Sequence, residues 1–207
     1  MTNPSTARYR AKAVRSDAIL RQAARLFATR GFNGVSLEDI GASVGVSGPA
    51  LYRHFAGKQA LLGTLLVKVS EDLMDGGTRV ADSASSDAER MRALVRFHVD
   101  FALGNADVIR VHDRDVVHLA DQDRAEVRRL QRTYIDLWIA ALAPLIAAQP
   151  DELRLRVQAC FGLINSTPHS TREAARRHSA TASVLVAMAE SALCAPSKAA
   201  SRTGANL

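Results

Sequence analysis

Residues 36–58 read SLEDIGASVGVSGPALYRHFAGK, and the fold follows from how this stretch punctuates itself. Ser36 followed three residues later by Asp39 has the form of a capping box, so a helix starts there. Its inward face is Leu37, Ile40 and Val44. Gly41 falls where a second helix must approach closely, and only a small residue fits. Gly45 stands at a turn that needs a positive φ, which glycine adopts without steric cost. Val46 anchors that turn. Ser47 caps the next helix, and Pro49 sits in its first turn, where a missing N–H costs little. Leu51 and Phe55 point inward, and Gly57 ends the unit. Cap, turn glycine and apolar wedge together describe a helix-turn-helix.

Outward from this stretch, apolar positions recur every three or four residues almost throughout, and period-two alternation is nearly absent. The chain reads as all-α, with about nine helices. Helix 1 is expected from about Val14 to Arg30, with Ile19, Ala23, Leu26 and Phe27 as its buried stripe and Gly31 as its stop. Helix 4 is expected from Lys58 to about Asp75. Gly76-Gly77 and the small polar stretch Ala81 to Asp87 read as the weakest region, with the glycines either ending helix 4 or hinging it. Further helices are expected at about Ala88–Leu103, Ala106–Leu119, Asp123–Leu145, Pro150–Ile164 and Thr171–Leu193, with a break from Asn165 to Ser170 around Pro168. The division expected is a flexible basic arm over 1–13, a helix-turn-helix domain over 14–57, a ligand-binding and dimerisation domain over 58–194, and a disordered tail over 195–207.

Hydrophobic residues make up 47% of the 207, enough for a sizeable core, and no apolar run approaches a bilayer-spanning length. With no secretory signal in view, a cytoplasmic protein without a membrane partner is expected. Cys160 and Cys194 match no metal or redox spacing and read as two buried small hydrophobes, with a thiol switch as the other reading. The charge is uneven. Residues 1–62 carry nine Lys/Arg against three acids, 9 − 3 = +6, which equals the net charge of the whole chain. That asymmetry points to a polyanion, nucleic acid or an anionic membrane, as the partner of the first third; an aid to solubility is the alternative.

The run from Val46 to Leu62, with Ala24-Arg25-Leu26-Phe27, Arg30-Gly31-Phe32 and Val35 to Ile40 upstream, resembles the signature of the TetR family of bacterial regulators. The resemblance covers about Val14 to Leu66. It implies a homodimer that reads a palindromic double-stranded operator, is formed through the last two helices, and is released by a small-molecule inducer. Repression is the family default. Carried over to this chain, the family pattern makes Ser36, Tyr52, His54 and Lys58 phosphate contacts, and turns Gly48, Pro49, Ala50 and Arg53 toward bases or the groove wall. Ser47, at the head of the recognition helix, joins that DNA-binding set. Arg53 alone in this helix can grip guanine bidentately; a phosphate contact is its other role. Tyr52 is expected exposed, because Leu51 and Phe55 already fill the inward face. The arm with Arg8, Arg10, Lys12 and Arg15 either reaches DNA or is a solvated tail.

For the inducer, Phe97, Phe101, Tyr134, Trp138 and Phe161 can line an apolar pocket, though any helical core needs such residues too. Arg110, Arg114 and His118 come from the unusual run Arg110 to His118. They either rim that pocket, favouring an anionic molecule such as a fatty acid or acyl-coenzyme A, or belong to a solvated face of i,i+4 pairs. His98 and Asp100 precede that run without a clean metal spacing. No nucleophile elbow, phosphate loop or cofactor motif is visible, so neither an enzyme nor a cofactor is expected. A ligand-independent, architectural DNA-binding protein is the alternative reading.

Overall fold

The computed structural model describes residues 4–171, 173–176 and 179–196. These form eleven α-helical segments and one 3-10 turn, with no strand among the described residues. In chain order they are α1 (Pro4–Arg30), α2 (Leu37–Ser43), α3 (Gly48–Tyr52), α4 (Lys58–Asp82), α5 (Asp87–Gly104) and α6 (Ala106–Asp115). A 3-10 turn (Val116–His118) follows, then α7 (Asp121–Leu142), α8 (Pro150–Asn165), α9 (Thr167–Ser170), α10 (Glu173–Arg176) and α11 (Ser179–Leu193).

Four expectations change. First, α1 begins at Pro4, so residues 4–13 are helix rather than an irregular arm. Proline suits a first helical turn, and Ala, Arg and Lys dominate the residues behind it, all strong helix formers. Second, α4 continues through Gly76-Gly77 to Asp82. The two glycines neither end it nor lie in a loop. A methyl group on Gly76 would overlap the Phe97 ring, and one on Gly77 would come within 2.5 Å of Tyr134 Cε2, so both are places where an aromatic ring presses on helix backbone. Third, Pro168 makes no long break, because it sits in the first turn of the short α9. Ser166 N still bonds Gly162 O at 3.0 Å, and Ser170 N bonds Ser166 O at 3.2 Å. Fourth, Cys194 is exposed, while Cys160 is buried as expected and its thiol is pushed up to about 12 by that burial. Of the expected tail, residues 197–207 lie outside the described residues.

Two compact units make up the chain, one from residues 1–71 with 105–129, the other from 72–104 with 130–207. Their boundary falls inside α4 and α7 rather than at Gly57. The first unit explains why. The core around Ile19, Phe27, Ile40, Leu51, Phe55 and Leu62 also takes in Val111 of α6, Leu119, and Val127 of α7. A three-helix unit of forty-odd residues has too little interior to be stable alone, and α6 with the start of α7 supplies the missing apolar surface. In the second unit α5, α8 and α11 pack on one another around Leu94, Val95, Val157, Ile164, Leu185 and Ala189.

Candidate functional site

The helix-turn-helix is held by local chemistry. Ser36 Oγ accepts from Asp39 N at 3.0 Å, and Asp39 Oδ2 accepts from Ser36 N at 2.9 Å, the reciprocal pair that opens α2. The Ser36 backbone and side-chain bonds hold the Asp39 carboxyl below its ordinary range. The turn is closed by Val46 N on Gly41 O at 2.9 Å, and Gly45 has φ +66°. A Cβ on Gly41 would lie 2.6 Å from Val46 O and 2.8 Å from Leu51 Cδ1. The missing side chain therefore sets how closely α3 sits against α2.

With Leu51 and Phe55 buried, α3 and the residues just after it turn an outer face to solvent. Tyr52 is 55% exposed, Pro49 and Arg53 are exposed, and His54 is half-buried with its ring 6.3 Å from that of Phe55. Ser47 is exposed and makes no side-chain capping bond; Ala50 is half-buried. Gly48 opens α3. Two of the expected phosphate contacts are engaged inside the protein. The Ser36 hydroxyl donates to Asp39 Oδ2 at 2.9 Å. Lys58 Nζ donates to Phe32 O at 2.8 Å and Val35 O at 2.9 Å, and lies 4.4 Å from the Phe32 ring centroid. Lys58 thus ties the start of α4 to the α1–α2 connection, leaving one ammonium proton for any other partner.

The polar run on α6 works in the same place. The Arg114 guanidinium donates to Phe27 O and to Ala28 O, capping the end of α1 from a neighbouring helix. It also grips Asp115 with two bonds, at 3.0 and 2.9 Å, and Asp115 is only 2% exposed. The His118 ring stacks on Phe32 at 4.7 Å, and His118 O accepts from Gln59 Nε2 at 2.9 Å. Arg110 pairs with Asp107 at 3.6 Å on the same helix. All three expected rim residues belong to the first unit.

The expected aromatic residues belong to the second. Tyr134, Trp138 and Phe161 meet there around a residue not assigned to the pocket, His98. Its ring stacks on Phe161 at 4.5 Å and on Tyr134 at 5.8 Å, meets Trp138 edge-on at 5.7 Å, and lies 6.5 Å from Phe101. Phe97 instead lies against Gly76. His98 is 3% exposed, with Asn165 Oδ1 3.3 Å from Nε2 and Tyr134 Oη 3.3 Å from Nδ1. The amide oxygen only accepts, so Nε2 carries the proton and Nδ1 accepts from the tyrosine hydroxyl. Burial pushes the His98 pKa down to about 4, partly opposed by Asn165, and burial raises that of Tyr134. The cluster is neutral and mostly apolar, with one polar relay threaded through it.

Two family models match the chain. One, described as bacterial regulatory proteins of the tetR family, matches residues 19–65. The other, described as a tetracyclin repressor-like C-terminal domain, matches residues 84–169. The chain belongs to the TetR family. It is a DNA-binding transcriptional regulator with that family's fold, an N-terminal helix-turn-helix followed by a C-terminal helical domain. Among similar proteins, the HTH-type transcriptional repressor KstR2 of Rhodococcus jostii is 25% identical over 143 residues, 69% of this chain and 70% of its own length. A crystal structure of a TetR-family transcriptional regulator from Bordetella parapertussis superposes with TM-score 0.73 at 24% identity, covering 86% of this chain and 91% of that one. AibR, solved in complex with isovaleryl coenzyme A and operator DNA, gives TM-score 0.71 at 21% identity, covering 84% and 97%.

Within this TetR-family chain, His98, weighed in the sequence only against a metal role, and Asn165 are the residues of the aromatic cluster that sequence reasoning does not place there. His98 shares the inward face of α5 with Met91, Leu94, Val95 and Ala102. A histidine at a core position of an amphipathic helix is the signal that could have found it. Asn165 carried no comparable signal, since its partner lies sixty-seven residues away.

Proposed function

We propose that the protein is a ligand-responsive repressor that binds a palindromic operator as a homodimer and is released by an acyl-coenzyme A or fatty acid. The observation that carries the DNA half is the outer face of α3. Tyr52 and Arg53 stand exposed on a short helix whose distance from α2 is set by Gly41 and Leu51. Pro49, Ala50 and Arg53 face bases or the groove wall in this reading, with Gly48 allowing close approach, and Ser47, Tyr52 and His54 meet phosphates. Ser36 and Lys58 act chiefly by holding the unit in shape.

Dimerisation is supported by the outer faces of α8 and α11. Leu155 is 65% exposed, Val184 56% and Met188 49%, all large apolar side chains on helices that pack together. Two recognition helices held about 34–36 Å apart then read successive major grooves on one side of the duplex. The inducer enters at the aromatic cluster around His98, where few polar groups interrupt a mostly apolar wall. Arg110, Arg114 and His118 are not assigned to that cluster: Arg110 pairs with Asp107, Arg114 holds Phe27 O and Asp115, and His118 stacks on Phe32. A ligand that prefers the conformation with misplaced recognition helices lowers operator affinity by that difference. The acyl-coenzyme A assignment leans on the ligand named for AibR, and repression on the name of KstR2.

The test is selection of bound genomic fragments against excess random DNA, followed by release with a panel of acyl-coenzyme A thioesters and fatty acids. A palindromic consensus freed by a member of the panel is expected. Equal retention of all sequences refutes specific regulation, and a consensus that no thioester or acid releases refutes the ligand class.

A further inference from the structure

A hollow of about 330 Å³ lies where α1 passes the turn between α2 and α3. It is lined by Arg15 and Ala18 of α1, by Val44, Gly45, Val46 and Ser47 of the turn, and by Ala50 of α3. The lining holds one cation and no acid. Arg15 is exposed, and no hydrogen bond or ion pair among the described residues takes its guanidinium. Ser47 is equally uncommitted, exposed and without a capping bond. Two unused donors of different chemistry, a planar guanidinium and a hydroxyl, therefore border one open depression. Elsewhere in the same unit the polar side chains facing backbone, Lys58, Arg114 and Gln59, are spent on carbonyl oxygens. Arg15 is a cation the fold does not use.

We propose that Arg15, with Ser47, seats a backbone phosphate of the bound duplex, so that α1 contributes a DNA contact beside the recognition helix. The inference rests on the DNA-binding reading of α3 above and adds a contact to it. A helix with its side chains is about 10–12 Å across and fills a major groove about 12 Å wide, so sugar–phosphate strands run alongside it. A side chain bordering the same depression as Ser47 and Ala50 reaches that strand rather than the base edges. Guanidinium matches phosphate geometry with two parallel N–H bonds, and the serine hydroxyl adds a third donor. The contact carries no sequence information, and it strengthens binding to every duplex alike.

The experiment uses the full chain and two probes, a duplex bearing the selected operator and a random-sequence duplex of equal length, titrated across a range of salt. For Arg15→Ala, affinity is expected to fall on both probes by a similar factor. The steepness of log Kobs against log salt is expected to fall by about 0.9 for each Arg15 engaged, hence about 1.8 for a bound dimer. Arg15→Lys restores the slope, because a charge remains, while Arg15→Gln does not. An Arg15→Ala protein with wild-type slope overturns the proposal, whether affinity is unchanged or falls on the operator alone. Should the alanine variant misfold, the lysine and glutamine pair carries the same comparison, and equal slopes for the two overturn it. Wild-type protein that shows no salt-dependent DNA binding refutes the reading of α3 itself, which separates the two failures.

Discussion

Replacing Gly41 with alanine puts a single methyl group into the tightest point of the helix-turn-helix. The new Cβ would lie 2.6 Å from Val46 O and 2.8 Å from Leu51 Cδ1. The first neighbour is backbone that is fixed by its own bonds in the turn. The second belongs to a side chain that is fully buried. Neither yields without moving α3 as a body. Overpacking of this kind costs about 1–3 kcal/mol, while alanine in place of glycine in a helix returns about 0.5–1 kcal/mol, leaving a net loss centred on about 1 kcal/mol and no larger than about 2.5 kcal/mol. For a chain of this size that corresponds to a fall in Tm of about 2–4 °C at the centre of that range and at most about 10 °C, measured at fixed protein concentration. DNA binding is expected to suffer more than stability. Sliding α3 outward misplaces Tyr52 and Arg53 together, and a loss of about 1.4 kcal/mol is already tenfold in Kd. Gly104→Ala is the control, since a methyl group there meets nothing within 4 Å; it leaves Tm unchanged or raises it slightly. If Gly41→Ala melts like the wild type and binds DNA with undiminished affinity, the close approach of α2 and α3 does not set the geometry of the recognition helix.

Three further outcomes follow from other parts of the molecule. Tyr52→Ala removes a side chain that is more than half exposed, so Tm is expected to shift by less than about 0.5 kcal/mol equivalent while operator Kd rises roughly tenfold, read by anisotropy. His98 takes up its proton near pH 6.5 when unfolded but only near 4 when folded, so the unfolded state binds more protons as pH falls through that window. Stability therefore declines by about 1.4 kcal/mol per pH unit from about 6.5 down to about 4, and denaturant titrations of His98→Gln lose that component of the slope. Met188→Glu places a charge on the outer face of α11; sedimentation is expected to show a dimer for the wild type and a monomer for the variant, and an association state equal to that of the wild type removes α11 from the interface.

What was legible in the sequence is what is local. The capping box at Ser36 and Asp39, the positive φ at Gly45, the wedge of Ile40 and Leu51, and the exposure of Tyr52 each depend on residues a few positions apart. Period and cap chemistry suffice for them. Lys58, Arg114 and His118 have partners 26, 87 and 86 positions away, at Phe32, Phe27 and Phe32. A basic side chain advertises its donors and not their destination, so the carbonyl oxygens that Lys58 and Arg114 hold, and the ring that His118 stacks on, are not legible from local sequence. That Gly76-Gly77 does not end α4 has a different reason. Glycine is unfavourable in a helix by about 1 kcal/mol per residue and so reads as a break. The same absence of a side chain lets two aromatic rings reach the helix, and that packing outweighs the propensity. The α4 boundary was thus decided by Phe97 and Tyr134, which stand twenty and more residues downstream.

That bare stretch of α4 has a mechanical consequence. Where helices touch through side chains, a small displacement is absorbed by rotamer changes before any backbone feels it. At Gly76 and Gly77 there is no such cushion, because the Phe97 and Tyr134 rings bear directly on main-chain atoms. Any tilt of the Tyr134 ring is therefore felt by the α4 backbone at Gly77 with no slack to take up first, and a shift of Phe97 is felt in the same way at Gly76.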